Sequence, residues 1–433
     1  MPLTGRHTFV GFGFGAIQAG LFLYEAYRTG NFKRMVVAEV MPDVVAAVRR
    51  AGGVYAVNIA HADRVEQAHV GPIEIVDPAT PDGRAVLIAA IAEAHEIATA
   101  VPGVKVYTSA GDASLHRLLA AGLHAKLERK GPTAVIYAAE NHNEAAEILE
   151  AAVLGEFPPA ERAALHRRVQ FLNTVIGKMS GVVSDPALVS SGRFAPVTPG
   201  NPRVFLVEAF NRILVSRIAL PRFRRGIAVF EEKANLLPFE EAKLYGHNAT
   251  HALAAYIGAL AGVRYIADLR DTPGMLPFLR AAFIEESGAA LIRRWNGVDA
   301  LFTPAGYAAY ADDLLARMTN PHLLDTVERV GRDPQRKLGW DDRLIGVLRT
   351  ALSRGIAPRR YALGAAAALA ALDPALRARP AIDAAALLDP LWQGAQVDAR
   401  EREDVLALVT RGWADLQQWM ARGMPDLERF MAG

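Results

Sequence analysis

Short apolar runs of β-strand composition alternate with helical stretches over the first part of the chain. Residues 7–12 and 34–39 contain the β-branched and aromatic side chains that favour strands, and a stretch of helical periodicity follows each run. Further strands are predicted at residues 104–108 and 134–138, and helices are predicted to begin at residues 16 and 42. This β-α-β alternation predicts an α/β fold built on a Rossmann-type, doubly wound parallel sheet.

Beyond Phe239 the pattern is almost wholly helical. Predicted helices cover residues 276–296, 304–319, 340–354, 361–372 and 400–421, and the Ala-rich run 365–371 is typical of a close-packed helix. A proline-rich passage that includes Gly200 indicates a domain boundary near residue 195. The sequence therefore predicts a Rossmann-type NAD-binding domain at residues 1–195 and a mainly α-helical substrate-binding domain at residues 196–433.

Composition excludes some classes of function. The chain has 433 residues, of which 52% are hydrophobic and 22% are charged, as in ordinary globular proteins. A formal net charge of +2 gives no broad field for nucleic acid or an anionic membrane, and the absence of Cys excludes disulfides and thiolate chemistry. The apolar stretch from Phe9 to Tyr24 is broken by glycines, and no apolar run is long enough to span a bilayer. We expect a cytoplasmic monomer or homodimer that acts on a small molecule.

A glycine-rich turn follows the first predicted strand. Glycines between a strand and a helix let the backbone approach a pyrophosphate, which sits at the helix N-terminus. Glu39 ends the second predicted strand, where an acid binds a ribose 2′-hydroxyl and repels a 2′-phosphate, so the pattern favours NAD over NADP. The alternative is a tight structural turn with a solvated Glu39. The predicted cofactor ligands are Gly11, Gly13, Gly15, Ala16, Ile17 and Glu39.

Two polar residues, Glu140 and Asn141, follow the predicted strand at residues 134–138. Ligands of such sheets bind outside the carboxyl ends of the strands. Both residues are therefore candidates for the nicotinamide side of the cofactor, although Asn141 is as well suited to cap a helix.

Three polar residues, Lys243, Asn248 and His251, precede or begin an apolar helical stretch. Residues three apart share a helix face, so Asn248 and His251 point the same way, and Lys243 can reach the same place from the helix start. An amine, an amide and an imidazole in one pocket can act on an alcohol, because the amine takes a proton while the other two hold the oxygen. The alternative is a solvated lysine beside a helix-capping or core Asn and His.

His247 and His251 are four residues apart, which suits a pair of metal ligands on one helix. The His-Glu-x-x-His pattern is missing, and the sequence suggests no third ligand. We therefore expect no metal at this site.

A second polar cluster spans residues 329–337 and contains three Arg and one Lys around a Gly and a Pro. This composition is poor for a regular helix and good for an anion site, since guanidinium groups match phosphate or carboxylate oxygens. The candidate ligands are Arg329, Arg332, Arg336 and Lys337. The alternative is a basic surface loop.

The spacing of Lys243, Asn248 and His251 resembles the motif of the polyol-specific long-chain dehydrogenases, the mannitol dehydrogenase family. Residues 12–15, 139–141, 285–289, 320–321, 327–338 and 342–345 are also similar, most closely to the mannitol-1-phosphate branch of that family. The resemblance covers about residues 9–370. Two departures are Gly177-Lys178, where the family often has Asp-Arg, and Ala249-Thr250, where that branch has Thr-Gly.

The resemblance implies a metal-independent NAD enzyme with a Rossmann domain, a helical substrate domain and an active site between them. Lys243 would be the general base, Asn173 and Asn248 would donate to the developing oxyanion, and His251 would orient the substrate or the base. Arg329 and Lys337 match substrate-binding positions.

The three arginines at 329, 332 and 336 favour a phosphorylated substrate, so we expect mannitol 1-phosphate and fructose 6-phosphate as the reacting pair. A free hexitol, as in mannitol 2-dehydrogenases, or a hexuronate is the alternative, since a carboxylate would use the same arginines. A non-catalytic NAD-binding sensor is the alternative from another class.

Overall fold

The computed structural model describes residues 5–109, 111–210 and 212–432. The chain forms two compact units, Met1–Leu236 and Leu237–Gly433. The strands of the first unit are β1 (His7–Phe12), β2 (Phe32–Ala38), β3 (Tyr55–Ala60), β4 (Val65–Val70), β5 (Glu74–Val76), β6 (Glu96–Thr99), β7 (Ala134–Ala138), β8 (Val169–Ile176), β9 (Ser180–Val183), β10 (Val204–Glu208), β11 (Ile213–Ser216) and β12 (Phe230–Lys233).

The main sheet of the first unit has the strand order β12-β11-β8-β7-β6-β1-β2-β5 and is parallel from β8 to β5. Its central strands are buried on both faces, which explains why β1 and β7 appear in the sequence as short apolar runs. The predicted doubly wound sheet is confirmed. The helices of the first unit are residues 16–29, Pro42–Arg50, Pro81–Glu93, Leu115–Glu128, Ala145–Gly155, Pro159–His166 and Pro186–Ser190.

The strand predicted at residues 104–108 is wrong. A short 3-10 helix, Val104–Val106, occupies this segment, and the strand beside β1 is instead β6. The β-branched residues of the segment suggested a strand, but Pro102 and Gly103, which follow β6, favour a turn over a further strand.

A second, four-stranded sheet in the first unit has the order β4-β3-β10-β9. The sequence did not predict this sheet. Because β10, β11 and β12 pair with strands of the first unit, that unit continues to Leu236, beyond the boundary expected near residue 195.

The strand order reverses between β1 and β6. From β1 the chain proceeds to β2 and β5 on one side, and then returns to add β6 on the other side. Such a switch point opens a crevice at the carboxyl ends of the two strands. The glycine turn after Phe12 and the loop after Thr99 border this crevice.

The second unit is helical, as predicted. Its helices are Leu237–Glu241, Ala249–Leu260, Met275–Ala281, Ala289–Arg294, Pro304–Met318, Val327–Gly331, Pro334–Lys337, Arg343–Leu352, Arg359–Leu372, Ala384–Leu388, Ala399–Ala421 and Leu427–Ala432. The π-helices Ala242–Asn248 and Ala282–Gly288 each continue a preceding α-helix.

The Ala-rich helix Arg359–Leu372 lies at the centre of this unit, and residues 361–370 are buried. Small side chains let neighbouring helices approach closely. A Cβ on Gly412 would lie 2.4 Å from the Ala362 carbonyl oxygen, and one on Gly364 would lie 2.5 Å from Leu253. The prediction of a close-packed helix is confirmed. Within the described part of the chain, no helix has both the length and the apolar character that crossing a membrane requires.

Candidate active site

The glycine turn of the first unit combines a tight bend with an open face. Gly13 has φ +83°, and a Cβ there would lie 2.7 Å from the Ala100 carbonyl oxygen, so a side chain is strained and obstructed. At Gly15 no atom lies within 4 Å of the Cβ position, which leaves room for a ligand. Gly11 instead has a packing role, because a Cβ there would overlap the buried side chain of Gln18.

Helical structure begins at Ala16 and Ile17, whose backbone N–H groups belong to the first turn and lack partners within the helix. Together with the open face at Gly15, this turn fits a phosphate-containing cofactor.

Glu39 braces the glycine turn. One carboxylate oxygen accepts from the Phe14 N–H at 3.0 Å, and the other accepts from the Met41 N–H at 2.9 Å. The side chain is buried. The solvated Glu39 of the alternative interpretation is therefore wrong, since this carboxylate fixes the turn where the cofactor was predicted to bind.

Glu140 is buried in a hydrogen-bond network beside the crevice. Its carboxylate accepts from Thr99 Oγ1 at 2.8 Å, from the Val101 N–H at 2.9 Å and from the Tyr107 hydroxyl. Burial raises the pKa of Glu140, and these donors oppose the rise. Glu140 thus fixes the loop after β6, while Asn141 follows in an exposed turn.

Asn173 lies in β8 and caps the helix Ala145–Gly155. Its Oδ1 accepts from the Ala146 N–H at 2.8 Å, and its Nδ2 donates to the Glu147 carboxylate at 2.7 and 2.9 Å. The amide therefore has a structural partner on each side. Its expected role as an oxyanion donor stays a prediction.

A π-helix brings Lys243 and Asn248 to one face in the second unit. Residues five apart lie about 140° apart around an α-helix, on different faces. The segment Ala242–Asn248 is instead π-helical, and a π-helix bonds residue i to residue i+5, so the two residues lie almost one above the other. The α-helix Ala249–Leu260 follows and adds His251 three residues later.

A second π-helix stabilises the first through a hydrogen bond. Ser287 in the segment Ala282–Gly288 donates its hydroxyl to the Tyr245 carbonyl oxygen at 2.8 Å. A Cβ on Gly246 would lie 2.8 Å from the Tyr307 hydroxyl, so glycine permits the close contact. π-Helical segments are rare and occur mostly at functional sites.

Thr250 belongs to the departure from the family pattern noted above. The side chain is fully buried, and its hydroxyl lies 2.6 Å from the Tyr361 hydroxyl. The Ala249-Thr250 pair therefore faces the core of the unit and ties this helix to the central Ala-rich helix.

Lys243 has a lowered pKa of about 8. Burial is the main cause, the cation of Arg343 adds to it, and Glu240 opposes it. Near neutral pH an appreciable fraction of such amines is unprotonated, which is the form that a general base requires.

His251 and Arg329 share one buried acid, Asp325. The His251 Nε2 lies 3.3 Å from one carboxylate oxygen at ion-pair distance, without hydrogen-bond geometry. Arg329 donates its Nε–H at 2.8 Å to the other oxygen, and its Nη2 lies 2.7 Å from the same oxygen at ion-pair distance. Burial alone would raise the pKa of Asp325, but His251 and Arg329 outweigh it, so the pKa lies below its usual value.

A basic cleft of about 190 Å³ adjoins this pair. It is smaller than the roughly 300–1,000 Å³ typical of whole-ligand sites, so it suits one end of a substrate. The cleft brings together all four predicted substrate ligands with two of the predicted catalytic residues. Its lining residues are Asn248, His251, Ala252, Arg329, Val330, Arg332, Asp333, Arg336, Lys337 and Arg343.

The basic segment is not a plain surface loop. Arg332 and Arg336 are exposed, but Lys337 is only 5% exposed and lies with its ammonium 5.9 Å from the centre of the Tyr256 ring. Burial, with Arg343 and Arg336, lowers the pKa of Lys337 to about 8. Asp333, at φ +54°, breaks the segment into two short helices, as its composition suggested.

Sequence reasoning missed Arg343 as a site residue. It lines the cleft from the first turn of the helix Arg343–Leu352. The Asp342-Arg343 pair, an N-cap followed by a buried arginine, was the available signal.

His247 was the second histidine of the metal alternative. Burial, together with nearby cations, holds the pKa of this histidine well below its usual value, and its ring centre lies 6.3 Å from that of His251. Among residues 5–109, 111–210 and 212–432, no group of three His, Asp or Glu side chains is arranged to hold a metal ion.

The fold agrees with comparisons to known proteins. The mannitol dehydrogenase Rossmann domain matches residues 7–215, and the mannitol dehydrogenase C-terminal domain matches residues 235–421. The Rossmann match confirms the predicted dinucleotide-binding domain and supports NAD as its cofactor.

Two solved structures share the fold at low sequence identity. Pseudomonas fluorescens mannitol 2-dehydrogenase, in a ternary complex with NAD and D-mannitol, is 16% identical with a TM-score of 0.70, covering 98% of this chain and 94% of that one. A substrate-free D-sorbitol dehydrogenase is 13% identical with a TM-score of 0.74, covering 97% and 94%. Two domain matches in the expected order, on a chain with the matching fold, show that this protein belongs to the mannitol dehydrogenase family.

Proposed function

We propose that the protein is an NAD-dependent oxidoreductase that interconverts a polyol and a ketose, with Lys243 as the general base. The observation that supports this proposal is the π-helix Ala242–Asn248, because its i to i+5 bonding is suited to carrying Lys243 and Asn248 on one face. The preferred reacting pair is mannitol 1-phosphate and fructose 6-phosphate.

Oxidation of a secondary alcohol removes a proton from oxygen and a hydride from carbon. The neutral Lys243 amine accepts the proton, which its pKa of about 8 permits near neutral pH. Asn248, with Asn173 as the second candidate, donates a hydrogen bond to the oxygen as it gains negative charge. In the reverse direction the protonated Lys243 returns the proton to the sugar oxygen.

NAD is the cofactor that fits the first unit. When bound, it supplies the acceptor for the hydride. Gly13 and Gly15 would form the pyrophosphate turn, and Glu39 would face the ribose. A carboxylate at this position disfavours a 2′-phosphate, so we expect NAD to be preferred to NADP, which parallel assays with the two cofactors measure.

The charge of the basic cleft supports a phosphorylated substrate. Five of its ten lining residues are Arg or Lys and one is Asp, whereas a free hexitol carries no charge to balance them. The free hexitol remains the second candidate, because the similar mannitol 2-dehydrogenase structure contains D-mannitol. A hexuronate would use the same cations.

A panel of polyols and polyol phosphates, assayed for NADH formation with the wild type and Lys243→Ala, tests the proposal. We expect turnover by the wild type, fastest with mannitol 1-phosphate, and a loss of about 10²–10⁴-fold in the variant. Unchanged turnover in the variant would remove Lys243 from the mechanism. NAD binding without activity on any member of the panel would favour the sensor.

A further inference from the structure

The second unit contains a buried cation that no sequence pattern assigned to the substrate. We infer that Arg343 is a specificity-determining residue of the basic cleft, whose guanidinium binds the phosphate monoester at the end of the substrate. The identity of that substrate rests on the proposed function, but the binding of a phosphate group to Arg343 does not.

Arg343 is buried with most of its donors unused. A guanidinium has five N–H groups. Of the described residues, only Asp342 bonds to this one, through a single contact of 3.1 Å from Nη1 to Oδ1. The same Asp342 oxygen also accepts the Arg343 backbone N–H at 2.7 Å as the helix cap. Arg343 lines the cleft, and in the described part of the chain none of its remaining N–H groups is a fully buried atom without a partner, so they are open to the cleft and available to an acceptor on a ligand.

Lys337 is a second largely buried cation that lines the cleft with Arg343. Within the described part of the chain no carboxylate lies at ion-pair distance from its ammonium, which lies 5.9 Å from the centre of the Tyr256 ring. Both cations have lowered pKa values, chiefly through burial and then through neighbouring cations that include Arg336. Asp342 and Asp333 offset these positive charges only in part, so this group of cations is suited to a bound anion.

Arg329 does not take this role, although the sequence suggested it. Its guanidinium is already hydrogen-bonded through Nε and ion-paired through Nη2 to Asp325, which balances its charge. The anion is therefore left to Arg343, Lys337 and the exposed Arg336. A phosphate dianion, with three acceptor oxygens, can engage all three cations, whereas a carboxylate has only two oxygens and one charge.

The position of Arg343 also connects the bound anion to the base. The cation of Arg343 lowers the pKa of Lys243, after burial the largest lowering cause. A phosphate bound to Arg343 cancels part of this effect. The pH dependence of turnover should therefore differ between a phosphorylated and a free substrate in the wild type, and a purely structural arginine would give no such difference.

Calorimetric titration of the full-length protein with saturating NAD tests the inference. The ligands are inorganic phosphate, fructose 6-phosphate and fructose, and the variants are Arg343→Gln and Arg343→Lys. Arg280→Gln is the matched control, since Arg280 forms an exposed ion pair with Asp312 in the same unit. We expect Arg343→Gln to weaken the binding of inorganic phosphate and of fructose 6-phosphate about 10- to 100-fold. The affinity for fructose, and all affinities of the control variant, should be unaffected.

Equal binding of phosphate to the wild type and Arg343→Gln, or no binding to the wild type, would overturn the inference. If Arg343→Gln does not fold, Arg343→Lys keeps the charge and loses the planar fork, and a several-fold loss is expected; unchanged affinity there would also overturn it. Phosphate binding that depends on Arg343 without turnover of fructose 6-phosphate would refute the proposed function alone. Turnover of fructose 6-phosphate by the wild type, together with unaltered phosphate binding in Arg343→Gln, would refute the inference alone.

Discussion

The His251 imidazole and the Asp325 carboxylate lie 3.3 Å apart, and the other oxygen of the same carboxylate holds Arg329. One buried acid thus orients a predicted catalytic side chain and a predicted substrate ligand that are far apart in sequence. The relationship makes Asp325 a positioning residue, because it touches both groups and need not touch the substrate.

Asp325→Asn should lower kcat/KM for polyol oxidation about 10- to 100-fold, because removal of a buried charged partner leaves His251 and Arg329 without their common ion. Steady-state kinetics measure this loss. Asp312→Asn is the matched control, since Asp312 forms an exposed pair with Arg280 that should contribute at most about 1 kcal/mol. Wild-type kinetics in Asp325→Asn would remove its positioning role.

The same carboxylate should make the stability of the protein depend on pH. The pKa of Asp325 is lower in the folded protein than in the unfolded chain, so the stabilisation is complete above the unfolded value of about 3.9 and disappears as the pH falls through the folded pKa. Thermal unfolding from pH 7 downward should show a smaller acid-induced loss in Asp325→Asn than in the wild type. If thermal stability fell with pH in parallel in the wild type and Asp325→Asn, Asp325 would not be a source of the pH dependence.

Ser287→Ala should reduce kcat about tenfold while the protein stays folded. The substitution removes the Ser287 hydroxyl that donates to the partly buried Tyr245 carbonyl of the π-helix, which costs about 0.5–1.5 kcal/mol and loosens the backbone that carries Lys243. Ser353→Ala is the control, because Ser353 donates in the same way to the Thr350 carbonyl in another helix of the unit. Equal kcat values in both variants would show that the π-helix does not need this support.

Gly13→Ala and Gly15→Ala should separate folding from cofactor binding. At Gly13 a side chain meets both a positive φ and the Ala100 carbonyl, so thermal stability should fall with NADH affinity. At Gly15 the space is empty, so stability should be retained while NADH affinity, measured by fluorescence titration, decreases. Full NADH affinity in Gly15→Ala would place the pyrophosphate elsewhere.

The pH dependence of turnover should have opposite signs in the two directions. Oxidation needs neutral Lys243, so kcat/KM should rise with pH through the pKa of about 8, and ketose reduction should fall over the same range. Arg343→Gln removes a cation that lowers this pKa, so both curves should move to higher pH. Curves that do not respond to this variant would separate Arg343 from the base.

The sequence predicted the elements whose pattern is local. The strand β1 and the strand β7 are short apolar runs because both faces are buried, and the helix predicted at residues 304–319 is found at Pro304–Met318. The second sheet was missed because β10 pairs with β3 across more than a hundred residues, and no periodicity encodes that pairing.

The candidate site was predicted only in part, because sequence patterns show local spacing and not tertiary contacts. The residues of the segment 243–251 and of the cleft are those that the spacing and the basic composition suggested, but the α-helical interpretation could not explain a spacing of five between Lys243 and Asn248. That spacing was itself the available signal of a π-helix. Asp325 was missed because only tertiary packing brings it to His251, whereas Arg343 was missed although the Asp342-Arg343 pair gave a local signal.

Chemical rescue of Lys243→Ala tests the central claim most directly. The folded variant, with NADH binding retained, is assayed for polyol oxidation with increasing methylamine or ethylamine, and Lys33→Ala, which removes an exposed lysine of the first unit, is the control. We predict a loss of at least about 10²-fold that the free-base form of the amine partly restores, with no effect of amine on the control. Wild-type turnover by Lys243→Ala without added amine would contradict the assignment of this lysine as the base.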